Sequence, residues 1–254
     1  MSDSVTTEFG DGLAVITINR PAARNAVNHA VAEGIAAAVD EFESRDDLIV
    51  AILTGAGGTF CAGMDLKAFM RGDHPDAPER GFGGLTERPP AKPLIAAVEG
   101  WALAGGFELA LSADLIVAAR DAKFGLPEVK RGLAAVAGGL IRLPKALPYQ
   151  LAMEIALTGD PLDAVRAHHF GLVNVITEHG GALAGARELA ARITGNAPLA
   201  VQASKHILSN AVKWTDREAF TAQGAIAERV LWSEDAREGA TAFAEKRPPV
   251  WRGR

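Results

Sequence analysis

Short apolar runs, each broken off by small or polar residues, constrain this chain more than any other feature. Leu48 to Thr54 reads LIVAILT, Leu94 to Val98 reads LIAAV and Leu115 to Ala118 reads LIVA. Runs of this length with little alternation suit strands covered on both faces, as in a parallel sheet. Leu13 to Asn19 (LAVITIN) is β-rich and partly alternating, and reads as a further strand. Helical periodicities lie between them. Asn28 to Arg45 is Ala-rich with Val31, Ile35, Ala38, Val39 and Phe42 at helical spacing, and Asn28 suits an N-cap. Gly105 to Ser112 reads as a short helix. Strands alternating with helices imply crossover connections and parallel pairing, so the fold class is α/β.

The second half changes character. Tyr149 to Thr158, Leu183 to Ile193, Leu199 to Ala211, Arg217 to Trp232 and Asp235 to Glu245 all read as helices. Asn196-Ala197-Pro198 is a natural break. The expected division is an α/β core over 1–196 and a helical region over 197–254, too short and amphipathic to stand alone. It should pack on the core or on another subunit. Arg71 to Pro93 is polar, with Gly and Pro throughout, and reads as a mobile loop serving as lid or pocket wall.

Charge and composition narrow the function classes. A formal net charge of −5 argues against a sequence-independent nucleic-acid binder, which needs a basic surface to displace counterions. Helix N-termini can still hold phosphates on an acidic protein. Cys61 is the only cysteine, so no intramolecular disulfide can form, which fits a reducing cytosol. No apolar run approaches the roughly 20 residues of a membrane span, and MSDSVTTEFG does not read as a secretory signal. The expectation is a cytoplasmic protein with no membrane or nucleic-acid partner.

Three stretches could carry chemistry. In Ile95 to Asp114 a buried strand runs into Gly105-Gly106, and a helix starts at once with Glu108 in its first turn. The free N–H groups of such a helix favour negative charge, a thioester oxyanion included, although a Gly pair also serves plain tight packing. In Thr54 to Lys67 (TGAGGTFCAGMDLK) a second strand ends in glycines and exposes backbone. Two convergent N–H donors make an oxyanion hole. In Ala122 to Gly132, Pro127 suits a first helical position and sets Glu128 at a helix N-terminus. Two carboxylates around one water could divide acid and base work, whereas either alone reads as surface charge.

Other signals are weaker. The phosphate-loop, dinucleotide and Gly-x-Ser-x-Gly patterns are absent. His168-His169 reads as a surface or helix-end pair, and Cys61 as a buried small residue.

Taken together, GAGGTFCAGMDLK, AAVEGWALAGGFELALSADLIVA and FGLPEVKRGL resemble the crotonase superfamily in order and spacing. The likeness runs on through RLPKALPYQLAMEIALTGDPLDA and HFGLVNVI to SEDAREGATAFAEKRPPV, and is greatest to enoyl-CoA hydratases. The resemblance implies a spiral of repeated ββα units with a C-terminal helical trimerisation region, in homotrimers or dimers of trimers. It implies oxyanion donors at Met64 and Gly105 and catalytic carboxyls at Glu108 and Glu128. It places coenzyme A, as part of an acyl-CoA substrate, near Arg24, Ala62, Asp65, Leu66 and Lys67, with Phe243 and Lys246 contributed by a neighbouring subunit. It implies no metal and no separate cofactor.

The implied activity is reversible addition of water to a 2-enoyl-CoA in fatty-acid or related acyl-CoA metabolism. Alternatives are an isomerase, a dehydratase of an unusual acyl-CoA, or a non-catalytic acyl-CoA-binding protein. Which glutamate is base and which acid stays open, as does acyl chain length, for which Trp101 is a candidate pocket residue. One departure stands out: Val136 occupies a position that is glycine in many hydratases, and it could narrow the pocket.

Overall fold

The computed structural model describes residues 4–254. An antiparallel pair, β1 (Val5–Gly10) and β2 (Leu13–Ile18), opens the fold. Helix α1 (His29–Ser44) follows, capped by the Asn28 side chain, which accepts from Val31 N. Then come β3 (Val50–Gly55), the single turn α2 (Leu66–Phe69) and a hairpin of β4 (Asp76–Ala77) and β5 (Gly81–Phe82). Strands β6 (Leu94–Val98) and β7 (Trp101–Leu103) lead into α3 (Gly105–Ala110). Strands β8 (Leu115–Ala119) and β9 (Lys123–Gly125) lead into a 3-10 helix, Pro127–Arg131. Helices α4 (Gly139–Ala146) and α5 (Tyr149–Thr158), strand β10 (Leu162–Asp163), α6 (Ala164–His169), β11 (Val175–Thr177) and α7 (Ala182–Thr194) complete the core. Helices α8 (Pro198–Ala211), α9 (Asp216–Leu231) and α10 (Glu234–Glu245) end the chain.

The main sheet has the order β1-β2-β3-β6-β8-β11, and every pair except β1 with β2 is parallel. A second ladder runs beside it. Val27 bridges Met64, Cys61 bridges Ala102 on β7, and β7 pairs in parallel with β9. Each turn thus places a strand in the main sheet, a short extended piece in the second ladder and then a helix. The units β6-β7-α3 and β8-β9-3-10 are two such turns in register, and stacking them makes the ββα spiral.

Burial on both faces explains the apolar runs. Along β3, Ala51 and Leu53 enter the larger core with α1, while Val50 and Ile52 face the other way, into the cluster that Ala182, Ala186 and Ala190 of α7 complete. Lys92, although 7% exposed, is satisfied: its Nζ donates to Phe42 O at 3.1 Å and Arg45 O at 2.7 Å. It closes the C-terminus of α1, where a cation is favoured.

The segment Arg71 to Pro93 departs from the loop expectation. It forms the β4-β5 hairpin, and Arg80 through Thr86 are buried. Arg80 pairs with Asp40 of α1, and a Cβ on Gly84 would lie 2.1 Å from Ala32 O, so the segment is pressed against α1. It is a packed wall, polar in sequence because glycines and a paired arginine do the packing. β1, β7, β9, β11, α4 and α6 were also not read from sequence. Three-residue strands such as β7 and β9 carry too little periodicity and form because a neighbour holds their register.

Candidate active site

Two loop ends meet at the N-terminus of α3. Gly63, with φ +94°, sits so close to the β7–α3 turn that a Cβ there would lie 2.9 Å from Ala104 Cβ and 3.3 Å from Gly105 N. On one side, Val27 N donates to Gly63 O and Asp65 N donates to Val27 O, both at 2.8 Å. The intervening Met64 N–H donates to nothing among the described residues. On the other side, Gly105 opens α3, and its N–H likewise has no acceptor there.

Local geometry aims these donors. Ala104 adopts φ 51°, ψ −128°, a region that costs a non-glycine residue about 1–3 kcal/mol. Its N–H is held by Gly125 O at 2.9 Å, and its carbonyl accepts from Phe107 N and Glu108 N. Gly105 and Gly106 answer different neighbours. A Cβ on Gly105 would lie 2.3 Å from Phe82 Cζ, and one on Gly106 would lie 2.2 Å from Cys61 O.

Glu108, 3% exposed, projects from the first turn of α3 and its Oε1 accepts from Gly139 N at 2.8 Å. Burial pushes its carboxyl up to about 7. The Gly139 and Ala137 N–H groups and the Arg142 guanidinium oppose the shift, and the Glu128 charge adds to it. Glu128, at the start of the 3-10 helix, is also raised by burial, with Arg131 pulling it back. Its Oε2 is buried and has no hydrogen-bond partner among the described residues. The site therefore holds one carboxyl poised near neutrality beside a second whose buried oxygen is free to take a proton or a water.

Both carboxyls line one cleft of about 500 Å³ with Ala62, Met64, Leu66 and Gly105. Six of the sequence candidates are thus brought together. Arg24 and Lys67 are exposed beside the cleft rather than lining it, although Arg24 O accepts from Ala62 N at 3.0 Å. The Asp65 carboxylate is already engaged, capping α2 through Ala68 N and pairing with Arg20 at 2.9 Å. Phe243 and Lys246 do not line the cleft of this chain: Phe243 is 88% exposed on α10. Trp101 is also not in the lining, because it leads β7 beside Lys123. Val136 does line the cleft and is 86% exposed, its N–H bonded to Ala134 O at 3.0 Å.

Sequence reading passed over Asn25, Gly139 and Arg142. Asn25 is fully buried at φ 56°; its Nδ2 donates to Ala56 O and Thr59 O at 2.8 and 2.6 Å, and its Oδ1 accepts from Arg20 N at 2.9 Å. It ties together the loops that carry Met64. An asparagine within RPAARNAVN gives no local sign of that role. Cys61 is buried, and burial pushes its thiol up to about 12, away from nucleophilic use. His168 lies in the last turn of α6, with Nδ1 2.7 Å from Val173 O.

Comparison with known proteins follows the same residues. The enoyl-CoA hydratase/isomerase family profile matches residues 8–254. The chain is 43% identical to a carnitinyl-CoA dehydratase of Salmonella typhi over 262 aligned positions, covering 100% of both proteins. It superposes on the crystal structure of enoyl-CoA hydratase from Mycobacterium tuberculosis H37Rv with a TM-score of 0.98 and 58% identity, covering 100% of each chain. It superposes on a carnitinyl-CoA hydratase from Mycobacterium avium with a TM-score of 0.80 and 44% identity, again over 100% of each. Matched along nearly its whole length in sequence and in spiral architecture, the chain belongs to the enoyl-CoA hydratase/isomerase family, the crotonase superfamily.

Proposed function

We propose that the cleft catalyses reversible addition of water across C2=C3 of a 2-enoyl-CoA, giving a 3-hydroxyacyl-CoA. The observation that carries this reading is the pair of buried carboxyls, Glu108 and Glu128, in one cleft with two unengaged N–H donors. The thioester oxygen lies against Met64 N and Gly105 N, which draws electron density from C3. One carboxylate takes a proton from water as its oxygen bonds to C3, and a proton is delivered to C2. The enolate charge that builds in between is held by the two donors, an arrangement whose single members are worth about 10²–10³ in kcat. The pair shares the proton as a unit, so acid and base are roles of the pair. Elimination of water from a 3-hydroxyacyl-CoA uses the same groups in reverse, so relatives named as hydratase and as dehydratase fit one geometry. No metal or further cofactor enters this scheme.

Coenzyme A is assigned to the Ala62–Lys67 stretch with Arg24 beside it. The exposed apolar side chains of Leu208, Phe220, Leu231 and Trp232 on and around α8 and α9 suit a trimer contact, through which Phe243 and Lys246 would reach a neighbouring cleft. Among the described residues no helix is long and apolar enough to cross a membrane, and a cytoplasmic acyl-CoA pathway suits the proposed chemistry.

The test is the ultraviolet absorbance of the conjugated enoyl thioester, followed over a panel of 2-enoyl-CoAs beside a Glu128→Ala control. Loss with the native chain but not the control is expected. Tight binding without absorbance loss across the panel would replace the enzyme by an acyl-CoA-binding protein.

A further inference from the structure

Behind Glu108 sits a cation that the hydration scheme leaves without a role. Arg142 is the fourth residue of α4 and is half-buried. Its side chain folds back toward the start of the helix, as helical side chains do. A Cβ on Gly138 would lie 3.1 Å from Arg142 Cζ and closer still to Nη1, so the guanidinium rests on the bare Cα of that glycine. Its Nη2 donates to Thr86 O, on the wall segment that follows β5. Arg142 does not line the cleft, and among the described residues it makes no ion pair with a carboxylate.

This placement runs against two electrostatic preferences. A helix N-terminus disfavours positive charge, and a half-buried guanidinium loses hydration that one carbonyl does not restore. An anion nearby answers both. Burial pushes the Arg142 guanidinium down from its ordinary value, and the Glu108 carboxylate pulls it back. The connection is short along the backbone: the guanidinium covers Gly138, and the next residue, Gly139, donates its N–H to Glu108 Oε1 at 2.8 Å. One peptide unit therefore has the cation at one end and the carboxyl at the other. The remaining charges that share the cleft with Glu108 are Glu128 and Arg131 of the 3-10 helix, with Asp76 and Glu87 of the wall. Of these, Arg131 offsets the rise of Glu128, which leaves Arg142 as the cation that serves Glu108.

We infer that Arg142 is a positioning residue for the reaction: clamped between Thr86 O and Gly138, it holds the Gly139 N–H on Glu108 and supplies the fixed positive charge that favours the ionised form of that carboxyl. It acts through Glu108 and touches no substrate. Because it stands outside the cleft, its charge persists when substrate displaces water from the site. The inference rests on the reading of Glu108 as a proton-transfer group in hydration, and it adds to that reading the group that sets when Glu108 can act.

The test titrates the carboxyl itself. Carbon-13 NMR of protein labelled at glutamate Cδ, with the Glu108 signal assigned by its loss in Glu108→Gln, gives the Glu108 midpoint with no need for turnover. Arg142→Gln keeps an N–H donor for Thr86 O and removes the charge. It should raise the midpoint by about half a pH unit or more, about threefold in proton affinity, because a cation near a carboxyl favours its charged form. Arg142→Lys should stay near the native value. The acid limb of kcat/KM on a 2-enoyl-CoA should move up with the midpoint in Arg142→Gln, whereas a merely structural role would lower activity alike at every pH. An unchanged midpoint in folded Arg142→Gln would overturn the inference, as would a lysine variant displaced as far as the glutamine one. Where the glutamine variant does not fold, Arg142→Met carries the same comparison. Failure of the hydration reading shows separately, as absence of turnover by the native chain, and the NMR midpoints then still decide whether Arg142 governs Glu108.

Discussion

Glu108 Oε1 accepts a hydrogen bond from Gly139 N at 2.8 Å, joining the first turn of α3 to the first residue of α4 across 31 positions. The bond fixes the carboxyl where it lines the cleft. Room at the donor is tight: a Cβ on Gly139 would lie 3.0 Å from Glu108 Oε1 and 3.1 Å from its Cγ, so the carboxylate must give way. Gly139→Ala should therefore swing the carboxyl away and lower kcat, with coenzyme A affinity nearly unchanged. Steady-state kinetics beside titration with a saturated acyl-CoA checks it.

Replacing either carboxyl by its amide keeps size and removes proton transfer. Glu108→Gln and Glu128→Gln should each lower kcat by about 10²–10⁴, the range for a positioned acid or base. The double variant should lose little more than the worse single one, because the pair handles one water. Additive losses would show two independent roles.

The raised Glu108 carboxyl has a consequence for stability. Its ordinary value of 4.5 rises to about 7 in the fold, so the folded state holds a proton that the unfolded chain has lost. The stabilising contribution is full below about 4.5 and disappears as pH rises through about 7. Relative to the native chain, Glu108→Gln should gain stability between pH 5 and pH 8, by roughly 2 kcal/mol. Denaturant midpoints of the two proteins at both pH values test this, and parallel shifts would refute it.

Gly105 and Gly106 should respond differently to alanine. At Gly105 the added methyl meets the Phe82 ring, which a second change, Phe82→Leu, can relieve. At Gly106 it meets the Cys61 carbonyl, which is backbone and part of the second ladder. Overpacking of this kind costs about 1–3 kcal/mol or more, so Gly106→Ala should lower Tm further. Only the Gly105 variant should be rescued by Phe82→Leu.

Removing the Asn25 amide leaves Ala56 O, Thr59 O and Arg20 N without their partner in a half-buried place. Asn25→Ala should destabilise by about 2–4 kcal/mol, summing unsatisfied groups at about 1–3 kcal/mol each with partial relaxation. Because those loops position Met64, activity should fall at temperatures where the variant is still folded. Thermal melts run beside activity at a low, fixed temperature distinguish the two effects.

Much of this protein was legible in order along the chain. The unbroken runs around β3, β6 and β8 are local statements about burial on two faces, and they led to a parallel α/β sheet. Asn28 as a cap, Pro127 before Glu128 and glycines ahead of Glu108 are likewise local, since dihedral preference and helix-end hydrogen bonding act within a few residues. The motif order carried the family and its candidate residues.

Tertiary structure decided what depends on distant partners. The Arg71–Pro93 segment looked loose because its order comes from α1, through Asp40 and the Ala32 carbonyl, not from its own composition. β7 and β9 exist because the turns of the spiral stack in register. The charge on Glu108 is set by burial, by Gly139 N and by Glu128, none of which adjoins it in sequence. Phe243 and Lys246 lie away from the cleft of their own chain, so only an assembly could bring them to one. Sequence periodicity records which faces are buried; which groups meet there is settled by the free energy of contacts that only the folded chain makes.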